Sequence, residues 1–154
     1  MITTIEEIVN ISQNLHDSDV KIVFTNGCFD LIHRGHIEYL NHAKSLGDIL
    51  IIGLNSDDSV QRLKGVDRPI NYQQDRAIVL DNLKCVDYVC IFGEDTPYEL
   101  IKIIQPDILV KGGDWAVEDI IGSDIVLKRG GKVRSLQFIE GKSTTDIIEK
   151  IRNL

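Results

Sequence analysis

No apolar run in the 154 residues approaches the roughly 20 that a membrane-spanning helix requires, so no bilayer segment is expected. Cysteine is scarce. Cys28, Cys85 and Cys90 form neither a CxxC pair nor an even-numbered framework, which leaves them as small apolar fillers in a reducing compartment. An excess of basic charge is also missing: 17 Lys and Arg against 24 Asp and Glu give a formal charge of −7, the wrong sign for a broad nucleic-acid partner. Small anionic substrates stay compatible, because a few local cations dominate within a Debye length of about 8 Å. The first 15 residues carry Glu6 and Glu7 where a secretory signal needs a basic start and an apolar block, so the expected location is cytoplasmic. Repeats, low-complexity stretches and linkers rich in Pro, Gly or Ser are absent too.

What is present is globular. Hydrophobic content of 43% and charged content of 27% suit one domain over residues 1–154 with a real core. Ile5, Ile8, Val9, Ile11 and Leu15 recur at helical spacing, which predicts a lead-in helix over residues 3–16 of an N-terminal segment 1–19. Five short apolar runs then read as buried strands, at residues 20–27, 48–56, 86–92, 107–113 and 132–139. Helical patterns alternate with them. One runs over residues 35–46 with Gly47 as its C-cap, one is a short helix within 57–71, and another covers 72–84. A further helix at 96–105 is opened by Thr96 with Pro97 at its first position, part of 116–131 is helical, and a last helix at 143–153 is capped by Ser143 or Thr144. This alternation predicts an α/β Rossmann-like, doubly wound domain with a five-stranded parallel sheet and helices on both faces.

In such sheets ligands bind beyond the carboxyl ends of the strands, where helix N-termini converge. Three polar stretches fall there and are expected to share one crevice: NGCFDLIHRGH, KGGDW and EGKSTT. In the first, His33 lies just before a helix and His36 in its first turn, beside free N–H groups and the positive helix end, while Gly35 lets an anion approach the backbone. That suits a phosphate chain. Zinc would need a third ligand and HExxH-type spacing, which are absent, and a capped helix start bearing two exposed histidines accounts for the same residues without any ligand. Asp30 either orients the motif through nearby N–H groups or makes a turn, and Cys28 and Phe29 shape the backbone, since nothing adjacent makes Cys28 a thiolate. GKSTT is not a P-loop, but it places a Gly, a Lys and three hydroxyls at a helix N-terminus, as either an anion site or an ordinary cap. Lys111 follows an apolar strand, Gly112 and Gly113 leave room for a ligand, and Asp114 supplies an acceptor. Lys64 and Arg68 sit on a loop long enough to act as a lid, and Arg76 follows; each is also a plain surface charge.

NGCFDLIHRGH contains the HxGH signature of the nucleotidyltransferase superfamily, and EGKSTTDII resembles its C-terminal ISTT-type motif. From about Val20 onward, RLKG, DRP, EDTP and VKGGDW resemble the heptose branch, the adenylyltransferase domain of bifunctional ADP-heptose synthase or its stand-alone counterpart. The resemblance implies transfer of AMP from ATP to D-glycero-β-D-manno-heptose 1-phosphate, with Mg²⁺ neutralising the β- and γ-phosphates. It implies that His33 and His36 hold the triphosphate and that Asn26, Gly27, Cys28, Phe29, Asp30 and Gly35 form the nucleotide-side turn. Gly141, Lys142, Ser143, Thr144 and Thr145 would close over adenosine and phosphate. Lys64, Arg68, Lys111 and Asp114 would receive the sugar phosphate, with Lys44 and Arg76 as secondary cations and no direct protein ligand to the metal. A homodimer and a separate kinase supplying the sugar 1-phosphate follow from the same resemblance. Phe138 and Ile139 replace the arginine that tends to precede the corresponding motif of cytidylyltransferases, which weakens a CTP reading. Two alternatives stay open: a cytidylyltransferase acting on glycerol 3-phosphate or another small phosphate ester, and a non-catalytic nucleotide-binding module.

Overall fold

The computed structural model describes residues 1–137 and 143–154. In chain order it runs β1 (Ile2–Thr3), α1 (Ile5–Asp17), β2 (Ile22–Gly27), α2 (Arg34–Lys44), β3 (Ile49–Asn55), α3 (Asp57–Lys64), α4 (Gln73–Asp81), β4 (Tyr88–Phe92) and α5 (Tyr98–Ile104). It continues with β5 (Ile108–Gly112), a 3-10 turn at Val117–Asp119, α6 (Ser123–Lys128), β6 (Lys132–Leu136) and α7 (Thr144–Arg152). All strand pairs are parallel, in the order β1-β4-β3-β2-β5-β6. The sheet therefore has six strands, not five. The extra one is the edge strand β1, which pairs Ile2 with Val89 and Thr3 with Cys90. Two residues cannot display an alternating pattern, so nothing in the local sequence announces it. It also shortens the lead-in helix, which begins at Ile5 behind a capping box: Glu7 N–H donates to Thr4 Oγ1 at 3.1 Å and Thr4 N–H to Glu7 Oε2 at 2.8 Å.

Helices cover both faces of the sheet because its central strands are apolar on both sides. Val23, Leu50, Ile52, Leu54 and Val110 pack with Tyr39, Leu40 and Ala43 of α2 and with Ala77 and Leu80 of α4. On the other face Ile22, Phe24, Ile51, Cys90 and Leu109 pack with Ile8 of α1, with Leu100, Ile101 and Ile104 of α5 and with Val126 of α6. Two expected helix ends are corrected. Helix α2 stops at Ser45 with φ −66°, so Gly47 is not a left-handed cap. Gly47 is there because a Cβ would come within 2.7 Å of Val23 Cγ2 and 3.0 Å of the Lys21 carbonyl. Helix α5 begins at Tyr98, with Pro97 as the cap residue, and no side chain caps it; the Thr96 hydroxyl does not perform the expected task.

The sheet order fixes where a site can form. From β2 the chain proceeds to β3 and β4 on one side and then crosses to β5 and β6 on the other, so β2 and β5 flank the switch point.

The loop from α3 to α4 is tied beneath this point by Arg76. Expected as a secondary cation or a surface charge, Arg76 is instead buried, with 1% relative exposure. Its guanidinium donates to the Cys28 carbonyl at 2.6 Å, to the Asn71 carbonyl at 2.9 Å and to Asp57 Oδ1 at 2.8 Å. Lys44 is likewise structural: it lies in the last turn of α2, away from the histidines, and bonds Asp87. Arg76→Ala should lower unfolding free energy by about 3–5 kcal/mol in urea titration, since it breaks a buried ion pair and strands two carbonyls. Arg76→Lys should recover little of that, because an ammonium does not reproduce the planar fork. A loss under about 1 kcal/mol for the alanine variant would contradict this role.

Candidate active site

At the switch point a cavity of about 410 Å³ opens above the carboxyl ends of the central strands. Strand β2 contributes Asn26 and Gly27, and the following turn contributes Cys28 and Phe29. Phe29 has φ +45°, a left-handed conformation that costs a non-glycine residue roughly 1–2 kcal/mol. Gly27 makes that turn feasible, because a Cβ there would stand 2.9 Å from the Phe29 ring. The turn is held from below by Asp30, which is 3% exposed. Its carboxylate accepts from the N–H groups of Ile70 and Asn71, at 2.8 and 2.9 Å, and from Arg68 Nε at 2.8 Å. The Asn71 amide donates in return to the Asp30 carbonyl at 2.7 Å. Burial pushes the Asp30 carboxyl up, but the Asn71 and Ile70 amides and the Arg68 guanidinium outweigh it and hold its pKa below the usual range. Asp30 thus orients the motif, through N–H groups some 40 residues away in sequence.

His33 is the N-cap of α2, and its Nδ1 accepts the Gly35 N–H at 3.1 Å. The Gly35 amide is therefore engaged by His33. His36 follows in the first turn, its ring 3.9 Å from that of His33 and 5.4 Å from that of Phe29, centroid to centroid. Among the described residues His36 Nδ1 is sealed from solvent without a hydrogen-bond partner. Burial, aided by the neighbouring His33, pulls the His36 pKa down to about 4, so the ring is neutral at physiological pH. Across the cavity stands Lys111 at the end of β5. Burial lowers its pKa and the Cys28 sulfur partly opposes the shift. The Cys28 thiol is itself pushed up by burial, more than Lys64, Arg76 and Arg68 pull it down, so it is not an activated nucleophile. Below them Tyr39, raised to about 12 by burial against the effect of its bond to Thr25, shares a 2.6 Å hydrogen bond with the Thr25 hydroxyl.

The cavity thus unites Asn26, Gly27, Cys28, Phe29, His36, Lys64 and Lys111. Other expected residues lie elsewhere. Arg68 is bonded to Asp30, Asp114 is exposed and off the cavity wall, and Gly141 and Lys142 fall outside the described residues. Ser143 caps α7 by accepting the Asp146 N–H at 3.0 Å, and the Thr144 hydroxyl reaches the Leu31 carbonyl at 3.4 Å. Neither they nor Thr145 line this cavity; α7 faces a second groove through Ile147 and Ile151. Conversely, Asn55, Asp95, Thr96 and Pro97 line the cavity and were not expected there. The rule that placed the other stretches applied equally to the ends of β3 and β4, where Asn55 and the EDTP segment sit.

The chain is similar to known proteins in sequence and in fold. A family model described as Cytidylyltransferase-like matches residues 24–150. The chain is 61% identical over 148 residues to the Bifunctional protein HldE of a Nitratiruptor species, covering 96% of this chain, and 54% identical over 151 residues to that of Aliarcobacter butzleri, covering 98% of it. It spans only about 31% of the length of either relative. Among solved structures, the lipopolysaccharide core biosynthesis protein from Thermoplasma volcanium aligns with a TM-score of 0.62 at 28% identity, covering 80% of this chain and 99% of that one. A pantoate-beta-alanine ligase from Francisella tularensis shares the fold alone, with a TM-score of 0.60 at 18% identity over all of this chain and 78% of the other. The chain therefore belongs to the cytidylyltransferase-like family and is a nucleotidyltransferase.

Proposed function

We propose that this nucleotidyltransferase moves AMP from ATP to D-glycero-β-D-manno-heptose 1-phosphate, giving ADP-heptose and pyrophosphate. The observation that carries the proposal is the placement of a neutral His36 at the N-terminus of α2 with Lys111 across the same cavity. The match to proteins named HldE over most of the chain supports the heptose branch. A phosphate oxygen of the sugar attacks the α-phosphorus in line as the bond to pyrophosphate breaks. That oxygen is already anionic near neutral pH, so no covalent enzyme intermediate is needed, and the protein contributes position and charge stabilisation.

In this reading the helix end, His33 and His36 hold the triphosphate, and the Asn26–Gly27–Cys28–Phe29 turn, braced by Asp30, sets the nucleotide side. Lys64 and Lys111 draw the sugar phosphate. Mg²⁺ would arrive with ATP. Among the described residues no cluster of three or more His, Cys, Asp or Glu is placed to hold a metal. Bound with ATP, the ion would neutralise the β- and γ-phosphates. A homodimer, and a kinase that supplies the sugar 1-phosphate, belong to the same proposal.

The direct test is pyrophosphate release with ATP or CTP, each paired with the heptose 1-phosphate or glycerol 3-phosphate. Turnover confined to ATP with the heptose is expected; turnover of CTP with glycerol 3-phosphate alone would overturn it. His36→Ala should lower kcat/KM by about 2–4 kcal/mol of transition-state stabilisation while the thermal melt shows a folded protein. Near-normal turnover in that folded variant removes His36 from the mechanism.

The charge state of His36 has its own check. Its folded pKa of about 4 lies below the ordinary 6.5, so the unfolded chain takes up the proton first. Stability contributed by the neutral ring is present above about 6.5 and lost as pH falls toward about 4. An NMR titration of the ligand-free protein should place the His36 midpoint near 4, moving part of the way upward in His33→Ala. A midpoint at or above 6.5 would show that the ring is not desolvated.

A further inference from the structure

We infer that Asp95, with Thr96 beside it, reads the hydroxyl groups of the acceptor sugar and so sets acceptor specificity; the inference rests on the sugar-phosphate reading above. Both residues lie in the loop after β4 and line the same cavity as His36 and Lys64. Strand β4 stands two places from β2 in the sheet, about 10 Å at the usual strand spacing. That separation leaves room for a sugar ring between the histidine end of the cavity and this loop. Lys64, at the end of α3, lies on the same side through β3 and supplies the cation for the phosphate.

The loop is fixed in advance. The Ser59 hydroxyl, on α3, donates to the Glu94 carbonyl at 2.9 Å, and Asn55 donates to that hydroxyl at 3.0 Å. Arg62, one turn on, donates to the Gly93 carbonyl and, through Nε, to Asp95 Oδ1 at 2.6 Å. One helix therefore orients the Asp95 carboxylate and also presents Lys64. Arg62 takes Oδ1; a carboxylate has about four lone-pair positions, which leaves Oδ2 available to accept from a hydroxyl pair. Thr96 is the residue whose sequence suggested a helix cap, yet α5 has no side-chain cap and the Thr96 hydroxyl makes no hydrogen bond with another described residue. A carboxylate oriented by Arg62 and an uncommitted hydroxyl at the β4 end of the cavity match a polyhydroxylated acceptor. They have no evident task toward a nucleotide triphosphate, which a carboxylate repels.

The test is steady-state kinetics of the full chain with ATP and D-glycero-β-D-manno-heptose 1-phosphate, comparing wild type with Asp95→Asn and Thr96→Val. The expected result is a KM for the sugar phosphate raised at least about tenfold in Asp95→Asn and less in Thr96→Val, with the KM for ATP unchanged, in line with loss of a hydrogen bond to substrate. Arg62→Ala, which frees the carboxylate from its brace, should raise the sugar KM in the same direction. An unchanged sugar KM in folded Asp95→Asn, or an equal rise in the KM for ATP, overturns the inference while the proposed reaction stands. A wild type that turns over no sugar 1-phosphate overturns both.

Discussion

A charge buried in a protein interior must be paired, and the region under the cavity is organised around two that are. Arg76 and Asp30 lie almost wholly out of water, and each depends on groups from distant parts of the chain. Arg76 collects the Cys28 carbonyl, the Asn71 carbonyl and Asp57; Asp30 collects Arg68 and two amides of the same loop. Together they lock the turn after β2 to the loop between α3 and α4. The left-handed Phe29 can persist because this network over-determines its neighbours on both sides. Without it the histidines would still start a helix, but their position relative to β3 and β5 would not be set.

Sheet topology supplies the second constraint. Parallel strands end together, so the carboxyl ends of β2, β3, β4 and β5 place Gly27, Asn55, the Asp95 loop and Gly112 around one opening. Each strand end carries a different chemistry. The β2 end gives a helix N-terminus and imidazoles, β5 gives an ammonium, and β3 with β4 gives a second ammonium and a braced carboxylate. A phosphate chain and a polyol could be held side by side on such a surface without competing for the same groups.

Much of this is legible in the sequence, and the exceptions have physical causes. The five longer strands and the placement of His33 as cap and His36 in the first turn follow from apolar runs and helix-end chemistry, which are local signals. The edge strand β1 is not legible, because two residues hold no period and its pairing with Val89 and Cys90 is non-local. Arg76 reads as a secondary or surface cation because its three acceptors come from residues 28, 57 and 71, none of which can be matched to it by spacing. Arg68 is assigned to substrate for the same reason, its true partner being 38 residues earlier. Thr96 follows a sound capping rule that tertiary structure overrides when Pro97 takes the cap position.

Catalysis of the proposed kind asks little of side-chain reactivity, and the cavity is built accordingly. Burial keeps the Cys28 thiol protonated and His36 uncharged, which removes the strongest local nucleophile and leaves a neutral ring. A neutral imidazole beside the positive end of α2 contributes hydrogen bonding without adding a fixed charge that would bind substrate and product pyrophosphate equally tightly. As charge develops on the leaving phosphate, a hydrogen bond donated by such a ring strengthens without any proton being transferred. The histidine pair thus responds most to the state in which negative charge is greatest, which is the condition for lowering a barrier instead of merely tightening ground-state binding.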